Sequence, residues 1–443
     1  MGKAADSTID ISGVVPHLPI QGFTLTVSEG PDQGTSFSPA KERTTIGSAE
    51  SADLKLTDPT ISRFHCELRA ADGAVTIVDT GSRNGTYVDG VRVAEAWLHA
   101  GAILTLGNTK LTFELASEPV KLPVSTHDKF GIMVGRSFAM RRAFSLLERA
   151  AASNATVLLG GETGTGKEAA AESIHRESAR RDGPFIVVDC GAIPANLLES
   201  ELFGHEKGAF TGADRQRLGA FEEANGGTLF LDEIGELEPE LQPKMLRVLE
   251  KKEIKRVGSS KYIPVDVRVI AATNRNLRAE VNAKNFRSDL YYRLAVVEVP
   301  LPAVRERLED LPILVNAILE RLGATSPHEV ALVRSREFLN TITRHSWPGN
   351  VRELRNYVER CLALAEHAPL DAEAAPRESG SNVPEIDTKL TLKVARDRWV
   401  GIFERAYLDR LLEENGGNVT AAARAAGVDR IHFYRLLWKN GLK

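Results

Sequence analysis

The stretch Gly161-Glu-Thr-Gly-Thr-Gly-Lys167 decides the fold of the central part of this 443-residue chain. It follows the apolar run Thr156-Val-Leu-Leu159 and precedes a helical run that begins at Glu168. A glycine-rich loop between a strand and a helix lets backbone N–H groups approach phosphate oxygens, and the helix N-terminus adds a positive dipole. Lys167 supplies a positive charge for the outer phosphates of a nucleotide. We therefore predict a phosphate-binding loop inside an α/β domain.

Two carboxylates follow a second buried strand, in the run Thr228-Leu-Phe-Leu-Asp-Glu233. The carboxyl ends of strands in a parallel sheet face the nucleotide, so we expect Asp232 to hold Mg²⁺ and Glu233 to polarise the attacking water. A third strand ends at Asn274, whose amide we expect to position that water or to contact the γ-phosphate. The alternatives are a glycine-rich turn without a ligand and a solvated pair of acids at a strand end.

Composition and length exclude several classes of protein. The chain is 42% hydrophobic and 26% charged, as globular proteins are, and its length predicts two to four domains. It has no apolar run of about 18 residues and no apolar signal core, so we expect a cytoplasmic protein without a membrane span. Its three cysteines, Cys66, Cys190 and Cys361, are far apart, which favours free thiols over a zinc site. Because the net charge is −4, any DNA contact must be local.

The segment from Phe23 to Leu115 consists of short alternating runs separated by turn signals. Val75-Thr-Ile77 and Leu104-Thr-Leu106 alternate with a period of two, as half-buried strands do. Three dipeptides are typical of hairpin turns: Asp72-Gly73, Asn84-Gly85 and Asp89-Gly90. This pattern predicts a β-sandwich.

From about Phe130 helical stretches alternate with short buried strands, which predicts an α/β domain with a mainly parallel sheet. After Pro302 the strands stop, whereas helices continue to about Ala365. The chain is thus predicted to be multidomain. In order, it has a flexible tail (1–22), a β-sandwich (23–116), a linker (117–130), an α/β P-loop subdomain (131–301), a helical lid (302–370), a second linker (371–391) and an all-α helix-turn-helix domain (392–443).

The hexapeptide Gly208-Ala-Phe-Thr-Gly-Ala213 is a highly specific motif. It resembles the signature of sigma-54-dependent transcriptional activators, or bacterial enhancer-binding proteins, whose motor is an AAA+ ATPase domain. The resemblance extends from about Gly131 to Ala365. It includes Phe286–Leu294, Leu301–Arg307 and Trp347–Leu354. The generic phosphate loop has Ser or Thr after its lysine as a Mg²⁺ ligand, but the loop of this family ends Gly-Lys-Glu, as it does here at Glu168.

The resemblance implies a ring, usually a hexamer, with ATP and Mg²⁺ bound at subunit interfaces. Nucleotide-binding residues would be Gly161, Glu162, Thr163, Gly164, Thr165, Gly166, Lys167 and Glu168. Arg287 and Arg293 match arginine fingers that act on a neighbouring subunit's phosphates, and Arg352 matches the sensing arginine of the lid. Without the family context, Arg287 and Arg293 would be interpreted as surface ion pairs. The loop of Gly208, Ala209, Phe210, Thr211, Gly212 and Ala213 would contact sigma-54, so that hydrolysis remodels the closed promoter complex.

Asp189 departs from the family pattern. Many members have an Asn at this position, which restrains the catalytic Glu between turnovers. Because an ionised carboxylate can only accept hydrogen bonds, we expect the hydrogen bonding of Glu233 to differ in this chain.

The N-terminal segment contains Thr45-Ile-Gly47, Ser62-Arg-Phe-His65 and Asn84-Gly-Thr86. These motifs resemble those of forkhead-associated (FHA) domains, which bind phosphothreonine peptides through loops at one end of a sandwich. The resemblance implies that Ser62, Arg63 and Asn84 contact the peptide and that His65 braces the loops. Ser48 stands where the family usually has Arg, the strongest phosphate donor, and Arg63 is the candidate substitute. The alternative is a sandwich that serves only subunit or domain packing.

The last fifty residues show a helix-turn-helix pattern, with a small-residue helix at Asn418–Ala426, a turn at Gly427 and a second helix at Arg430–Lys439. Residues 393–443 contain ten Lys and Arg against six Asp and Glu, which is a local basic footprint. The segment resembles the Fis-type DNA-binding domain. That resemblance implies major-groove contacts from Arg430, His432, Tyr434 and Arg435. The alternative is a basic surface on a dimerisation helix.

Together these patterns predict an ATP-hydrolysing transcriptional activator that binds upstream double-stranded DNA and opens sigma-54 promoters. Its other partners would be the sigma-54 RNA polymerase holoenzyme, a phosphothreonine protein or peptide and further copies of itself. The alternative is a non-catalytic, DNA-bound adaptor or repressor that recruits phosphoproteins. An active motor is favoured by one intact set of residues: Lys167, Asp232, Glu233, Arg287, Arg293 and the Gly208–Ala213 loop.

Overall fold

The computed structural model describes residues 17–71, 73–211, 213–324 and 326–368, together with residues 370, 407–408, 410–411, 418–426, 433 and 437. The chain divides into two compact units, residues 1–375 and 376–443. The first unit contains a sandwich, an α/β domain and a helical lid. Among the described residues, no helix is both long and apolar enough to cross a membrane.

The N-terminal part is a two-sheet β-sandwich, as predicted. One sheet has the order β10-β7-β6-β4-β5 and the other has the order β3-β2-β12-β11-β8-β9. The strands are His17–Ile20 (β1), Phe23–Glu29 (β2), Ser36–Phe37 (β3), Arg43–Gly47 (β4), Leu54–Lys55 (β5), Cys66–Ala71 (β6), Ala74–Asp79 (β7), Thr86–Val88 (β8), Val91–Val93 (β9), Glu95–Trp97 (β10), Ile103–Leu106 (β11), Thr109–Leu115 (β12) and Val120–Pro123 (β13). Alternate residues of β2 and β12 are buried, so that Phe23 packs on Phe113 with ring centroids 5.5 Å apart.

Two of the three expected hairpin dipeptides join neighbouring strands. Asp89 and Gly90, both with positive φ, connect β8 to β9, and Gly73 lies between β6 and β7. The expectation for Asn84-Gly85 was wrong, because β7 and β8 lie in different sheets. This segment therefore crosses between the sheets at one end of the sandwich.

Two strands that pair with each other lie in the segments predicted to be the tail and the first linker. β1 pairs antiparallel with β13, from His17 opposite Pro123 to Ile20 opposite Val120. Ile20 and Leu122 are buried in the sandwich core, which explains why these short apolar runs are ordered.

The α/β domain has a five-stranded parallel sheet with the order β17-β18-β21-β16-β22. Its elements are Lys129–Phe130 (β14), Met133–Val134 (β15), Phe138–Ala151 (α1), Val157–Gly160 (β16), Lys167–Arg176 (α2), Phe185–Asp189 (β17), Ala195–Phe203 (α3), Ala220–Glu223 (α4), Thr228–Asp232 (β18), Gln242–Lys251 (α5), Glu253–Lys255 (β19), Tyr262–Pro264 (β20), Arg268–Thr273 (β21), Leu277–Asn282 (α6), Ser288–Leu294 (α7) and Val297–Pro300 (β22). Every residue of β21 is buried, because the sheet is covered on both faces. The carboxyl ends of β16, β18 and β21 thereby lie side by side.

The lid consists of Leu311–Leu322 (α8), Pro327–Arg334 (α9), Arg336–Thr343 (α10) and Asn350–Leu364 (α11). Its core centres on the fully buried Trp347, whose indole N–H donates to the carbonyl of Ile342 at 2.8 Å. The turn after Trp347 leads directly into α11, and this turn faces the phosphate loop.

In the second unit, Val419–Ala425 forms a helix (α12), as expected for the first helix of the predicted motif. A small cluster of buried side chains includes Ala422, Ala423, Phe433 and Leu437. The predicted DNA contacts Arg430, His432, Tyr434 and Arg435 lie outside the described residues, so the helix-turn-helix stays a prediction.

Candidate active site

The phosphate loop connects β16 to α2, which begins at Lys167. Gly164 and Gly166 have φ values of +81° and +106°, a backbone conformation that favours glycine. A side chain at Gly164 would also lie 2.2 Å from the carbonyl oxygen of Gly349 in the lid. The glycines thus permit the backbone conformation of the turn, and Gly164 also leaves room for the lid to approach the loop closely.

Lys167 points its ammonium group into this loop. Its Nζ donates to the carbonyls of Gly161 at 3.0 Å and Glu162 at 3.4 Å, and it lies 3.3 Å from Oε1 of Glu233. The side chain is only 6% exposed, so its ammonium group is shielded from bulk solvent and acts mainly on groups within the site.

The three strand ends place Asp232, Glu233 and Asn274 together. The backbone N–H of Asn274 donates to Oε2 of Glu233 at 3.0 Å, and its Nδ2 donates to Thr163 Oγ1 of the phosphate loop at 3.2 Å. Glu233 has a φ of +48°, which is uncommon for a residue with a side chain and marks a locally strained backbone.

Asp232 lies in an unfavourable environment for a carboxylate. Burial raises its pKa above the usual value, and the negative charges of Glu233 and Asp189 raise it further, whereas Lys167 acts in the opposite direction. A bound cation would relieve this repulsion. Among the described residues, no group of three or more His, Cys, Asp or Glu side chains is placed so that it could hold a metal ion.

Asp189 is exposed at the end of β17, and its Oδ1 accepts the backbone N–H groups of Gly191 and Ala192. Glu233 instead bonds Lys167 and Asn274. In this structure the carboxylate at 189 therefore caps its own turn while Glu233 faces the phosphate loop.

Two residues that the sequence analysis did not assign tie the lid to the phosphate loop. Arg305 makes a bidentate ion pair with Glu162, and the Nδ2 of Asn350 donates to Glu162 Oε2 and to the carbonyl of Thr163, both at 3.1 Å. Asn350 is fully buried, and its Oδ1 accepts the backbone N–H of Val304 at 2.9 Å. Both residues lie in the motifs that carry the family resemblance, Leu301–Arg307 and Trp347–Leu354.

The remaining predicted nucleotide residues lie around the same loop. Arg352 is exposed in the first turn of α11, and its Cβ would lie 3.1 Å from a Cβ built on Gly164. Thr165 is buried and donates its hydroxyl to the carbonyl of Glu162, whereas Glu168 is exposed on α2.

A small apolar recess adjoins Gly166, with a volume of about 70 Å³. It is lined by Ile132, Val134, Ala169, Leu314, Ile318 and Val351, from the segment before α1, from α2 and from the lid. The sequence analysis missed this recess because its walls come from three distant segments.

Arg287 and Arg293 do not join this cluster within the single chain. Arg287 pairs with Asp289, and Arg293 pairs with Glu250 at 3.2 Å. Their side chains are 49% and 57% exposed, so both are available on the surface beside α7.

The predicted sigma-54 loop projects between α3 and α4. Gly208 has a φ of +77°, and its N–H donates to the carbonyl of Ala213, which closes the base of the loop. Phe210 is 42% exposed and packs edge-on against His205, with ring centroids 5.0 Å apart. Thr211 and Ala209 share this tip, whereas Gly212 lies outside the described residues.

The predicted phosphopeptide residues meet at one end of the sandwich. The Ser48 N–H donates to the carbonyl of Ser62, the Ser62 Oγ accepts the N–H of Arg83, and the Asn84 amide donates to the carbonyl of Thr60. Arg63 is exposed beside them.

His65 braces these loops from within, as expected. Its Nδ1 accepts the N–H of Ser62 at 3.2 Å and its Nε2 lies 3.1 Å from the carbonyl of Gly85, which fixes the neutral tautomer with the proton on Nε2.

Comparison with known proteins adds family relationships to this geometry. Residues 133–300 match the family model of the sigma-54 interaction domain, residues 305–390 match an AAA+ ATPase lid domain, and residues 26–117 match the cytoplasmic domain of an inner membrane component of T3SS. The transcriptional regulatory protein ZraR of Escherichia coli (strain K12) is 41% identical over 386 residues, which cover 82% of this chain and 86% of ZraR.

Two solved structures are also similar. NtrX from Brucella abortus in complex with ATP is 36% identical and has a TM-score of 0.48, covering 71% of this chain and 70% of NtrX. An FHA domain of a Chlamydia trachomatis protein is 30% identical and has a TM-score of 0.20, covering 21% of this chain and 96% of that domain.

Proposed function

This chain belongs to the family of sigma-54-dependent transcriptional regulators, and from that premise we propose that it is a ring-forming ATPase that opens sigma-54 promoters. The observation that carries the proposal is the convergence of Lys167, Glu233 and Asn274 on the phosphate loop, beside Asp232.

The roles follow from the chemistry of each group. Lys167 binds the outer phosphates of ATP, and Asp232 is the residue that would hold Mg²⁺. When bound, Mg²⁺ supplies positive charge that offsets the charge of the phosphates. Glu233 accepts the proton of the attacking water, and Asn274 orients that water or the γ-phosphate. The apolar recess beside Gly166 is the surface against which an edge of the purine base packs.

Arg287 and Arg293 act on the ATP of a neighbouring subunit. Both guanidinium groups are exposed, and each pairs with a nearby surface acid, Asp289 or Glu250, which a phosphate can replace. This arrangement supports a closed ring, usually a hexamer, in which each subunit completes the site of the next.

The other parts of the chain would contact sigma-54, DNA and a phosphorylated partner. Phe210 and Thr211 contact sigma-54, so that loop movement during hydrolysis remodels the closed complex. The C-terminal segment binds upstream double-stranded DNA through Arg430, His432, Tyr434 and Arg435. The N-terminal sandwich is FHA-like in fold, and we propose that it recognises phosphothreonine through Ser62, Arg63, Asn84 and the backbone near Ser48.

A subunit-mixing experiment tests the motor. We expect the wild-type chain to hydrolyse ATP with Mg²⁺, and both Lys167→Ala and Arg293→Ala to be inactive alone. Mixing the two inactive variants should restore activity, because the intact arginine of one serves the intact phosphate loop of the other. Lys244→Ala, which removes a comparable exposed ion pair with Glu199, is the control and should hydrolyse ATP normally. A wild-type chain that binds DNA but never hydrolyses ATP would instead be a non-catalytic adaptor.

A further inference from the structure

The sandwich rests on the α/β domain through the loops that carry its candidate phosphopeptide residues. Asn282, the last residue of α6, donates its Nδ2 to the carbonyls of Phe64 at 2.6 Å and Thr80 at 2.9 Å. Phe64 directly follows Ser62-Arg63, and Thr80 opens the segment that leads to Asn84. One amide therefore holds both of the loops on which peptide recognition depends.

An aromatic contact reinforces this attachment. Phe64 is only 2% exposed and packs against Tyr291 and Tyr292 of α7, with ring centroids 5.3 Å and 6.0 Å away. Ala49, next to Ser48, is buried in the same hydrophobic cluster. The helix that receives Phe64 also carries Arg293, so the sandwich contacts the element proposed to act on the neighbouring subunit.

An ion-pair network fixes the orientation. Arg278 of α6 pairs with Glu67 of the sandwich and with Glu298 of β22, and its Nε donates to the Tyr291 hydroxyl at 2.8 Å. Glu67 is 3% exposed. If the two domains separated, Glu67 and Arg278 would lose their ion pair and become hydrated instead. The ion pair therefore fixes one relative orientation of the two domains, which an apolar contact alone would not do.

We propose that α6 and α7 form an intramolecular docking site for the peptide-binding end of the sandwich, and that a phosphothreonine peptide competes with this docking. The proposal rests on the phosphothreonine recognition proposed above. A Cβ placed on Gly81 would lie 3.7 Å from the Cβ of Ala279, so α6 stands directly against the loop between Thr80 and Asn84. A peptide that crosses from Ser62 to Asn84 would meet α6 there. By linkage, each binding event must weaken the other by the same factor.

A disulfide cross-link reports the docked state in the full-length chain. The short Cβ–Cβ distance between positions 81 and 279 lies in the range that a disulfide requires. The native cysteines Cys66, Cys190 and Cys361 are buried, so they interfere little. We expect Gly81→Cys/Ala279→Cys to cross-link rapidly under mild oxidation, and a saturating phosphothreonine peptide to slow the reaction at least about tenfold. The unphosphorylated peptide should have no effect.

The single variant Gly81→Cys is the folding control, because Gly81 has a φ of +69° at which a side chain is strained. Failure of the folded double variant to cross-link without peptide would overturn the docking site.

Peptide affinity gives an independent measurement without the cysteines. Asn282→Ala should weaken docking, and the peptide should then bind several-fold more tightly to this variant than to wild type. Asn285→Ala removes an exposed amide three positions further along and should leave the affinity unchanged.

The competition would be overturned by either of two results. In the first, the double variant binds the peptide but cross-links as fast as before. In the second, wild type and Asn282→Ala bind the peptide with equal affinity. Absence of peptide binding in every variant, with cross-linking intact, would instead refute phosphothreonine recognition and with it the competition.

Discussion

Nζ of Lys167 lies 3.3 Å from Oε1 of Glu233, and Oε2 of the same carboxylate accepts the backbone N–H of Asn274 at 3.0 Å. The cation proposed for the phosphates and the proposed base thus form an ion pair in this structure. A γ-phosphate at Lys167 would replace this ion pair, which frees Glu233 for water in the same event that binds ATP.

This relationship predicts the behaviour of Glu233→Gln. The amide has the same shape but cannot accept the proton of water, so hydrolysis should slow on the order of 10²- to 10⁴-fold. ATP should still bind, and bind at least as tightly as to wild type, because Lys167 no longer has an anionic partner. Single-turnover hydrolysis and nucleotide titration separate the two effects. Glu236→Gln, at an exposed acid that pairs with Arg275, is the matched control, and normal turnover by Glu233→Gln would contradict the assignment of the base.

The sequence predicted those parts of the site that lie within continuous motifs. The strands that were predicted to end near Leu159, Leu231 and Asn274 end within a residue or two of those positions, because continuous apolar runs must be buried in a parallel sheet. The phosphate loop follows from glycines whose backbone conformation the structure confirms.

What the sequence could not predict depends on contacts between distant segments. Glu67 and Arg278 are separated by 211 positions, and Glu162 and Asn350 by 188, so no local periodicity links either pair. The edge strand β22 was also missed. Val297–Pro300 has only four residues and includes a charged residue and a proline, so its sequence does not distinguish it from a loop. Likewise, the exposure of Arg287 and Arg293 and their ion pairs with Asp289 and Glu250 depend on how α5 and α7 pack, which the sequence alone does not show.

His65 predicts a pH dependence of the sandwich. Burial lowers its pKa below the ordinary value, and Nδ1 must stay unprotonated to accept the N–H of Ser62. Because the folded-state pKa is depressed, the native loops are fully stabilised above the unfolded-state pKa, near 6.5, and lose stability as the pH falls below it. We therefore expect thermal stability and phosphopeptide affinity to decrease together as the pH falls below about 6.5.

The pKa of the exposed His99 is shifted in the opposite direction to that of His65. Hydrogen bonds to the carbonyl of Ala100 and to Asp89 raise its pKa, so any stabilisation it gives is lost as the pH rises. Titration of both imidazoles by NMR in the folded chain should therefore show His65 below and His99 above the ordinary value. A normal pKa for His65 would mean that it does not hold Ser62 as the structure indicates.

Asn350 predicts a role of the lid in ATP affinity. Its amide bonds Glu162 and Thr163 of the phosphate loop and Val304 at the base of the lid, and it is fully buried. Asn350→Ala would leave buried groups unpaired at a cost of about 1–3 kcal/mol, so ATP should bind at least about fivefold more weakly. The turnover number at saturating ATP should change less than the KM. Asn356→Ala, at an exposed amide on the same helix, should match wild type, and an unchanged KM in Asn350→Ala would refute the coupling.

The exposed tip at Phe210 and Thr211 predicts a separation of hydrolysis from activation. The loop base is closed by the hydrogen bond between Gly208 and Ala213, so a change at the tip leaves its anchor intact. Thr211→Ala and Phe210→Ala should keep ATPase activity within about twofold but reduce sigma-54-dependent transcription at least about tenfold, as loss of an interface anchor does. Leu218→Ala is the control, because Leu218 is similarly exposed, at 49% against 42% for Phe210, yet lies outside the loop. If Thr211→Ala supported normal transcription from a sigma-54 promoter, Thr211 would not be the contact, and the loop would have to engage sigma-54 through Phe210 alone.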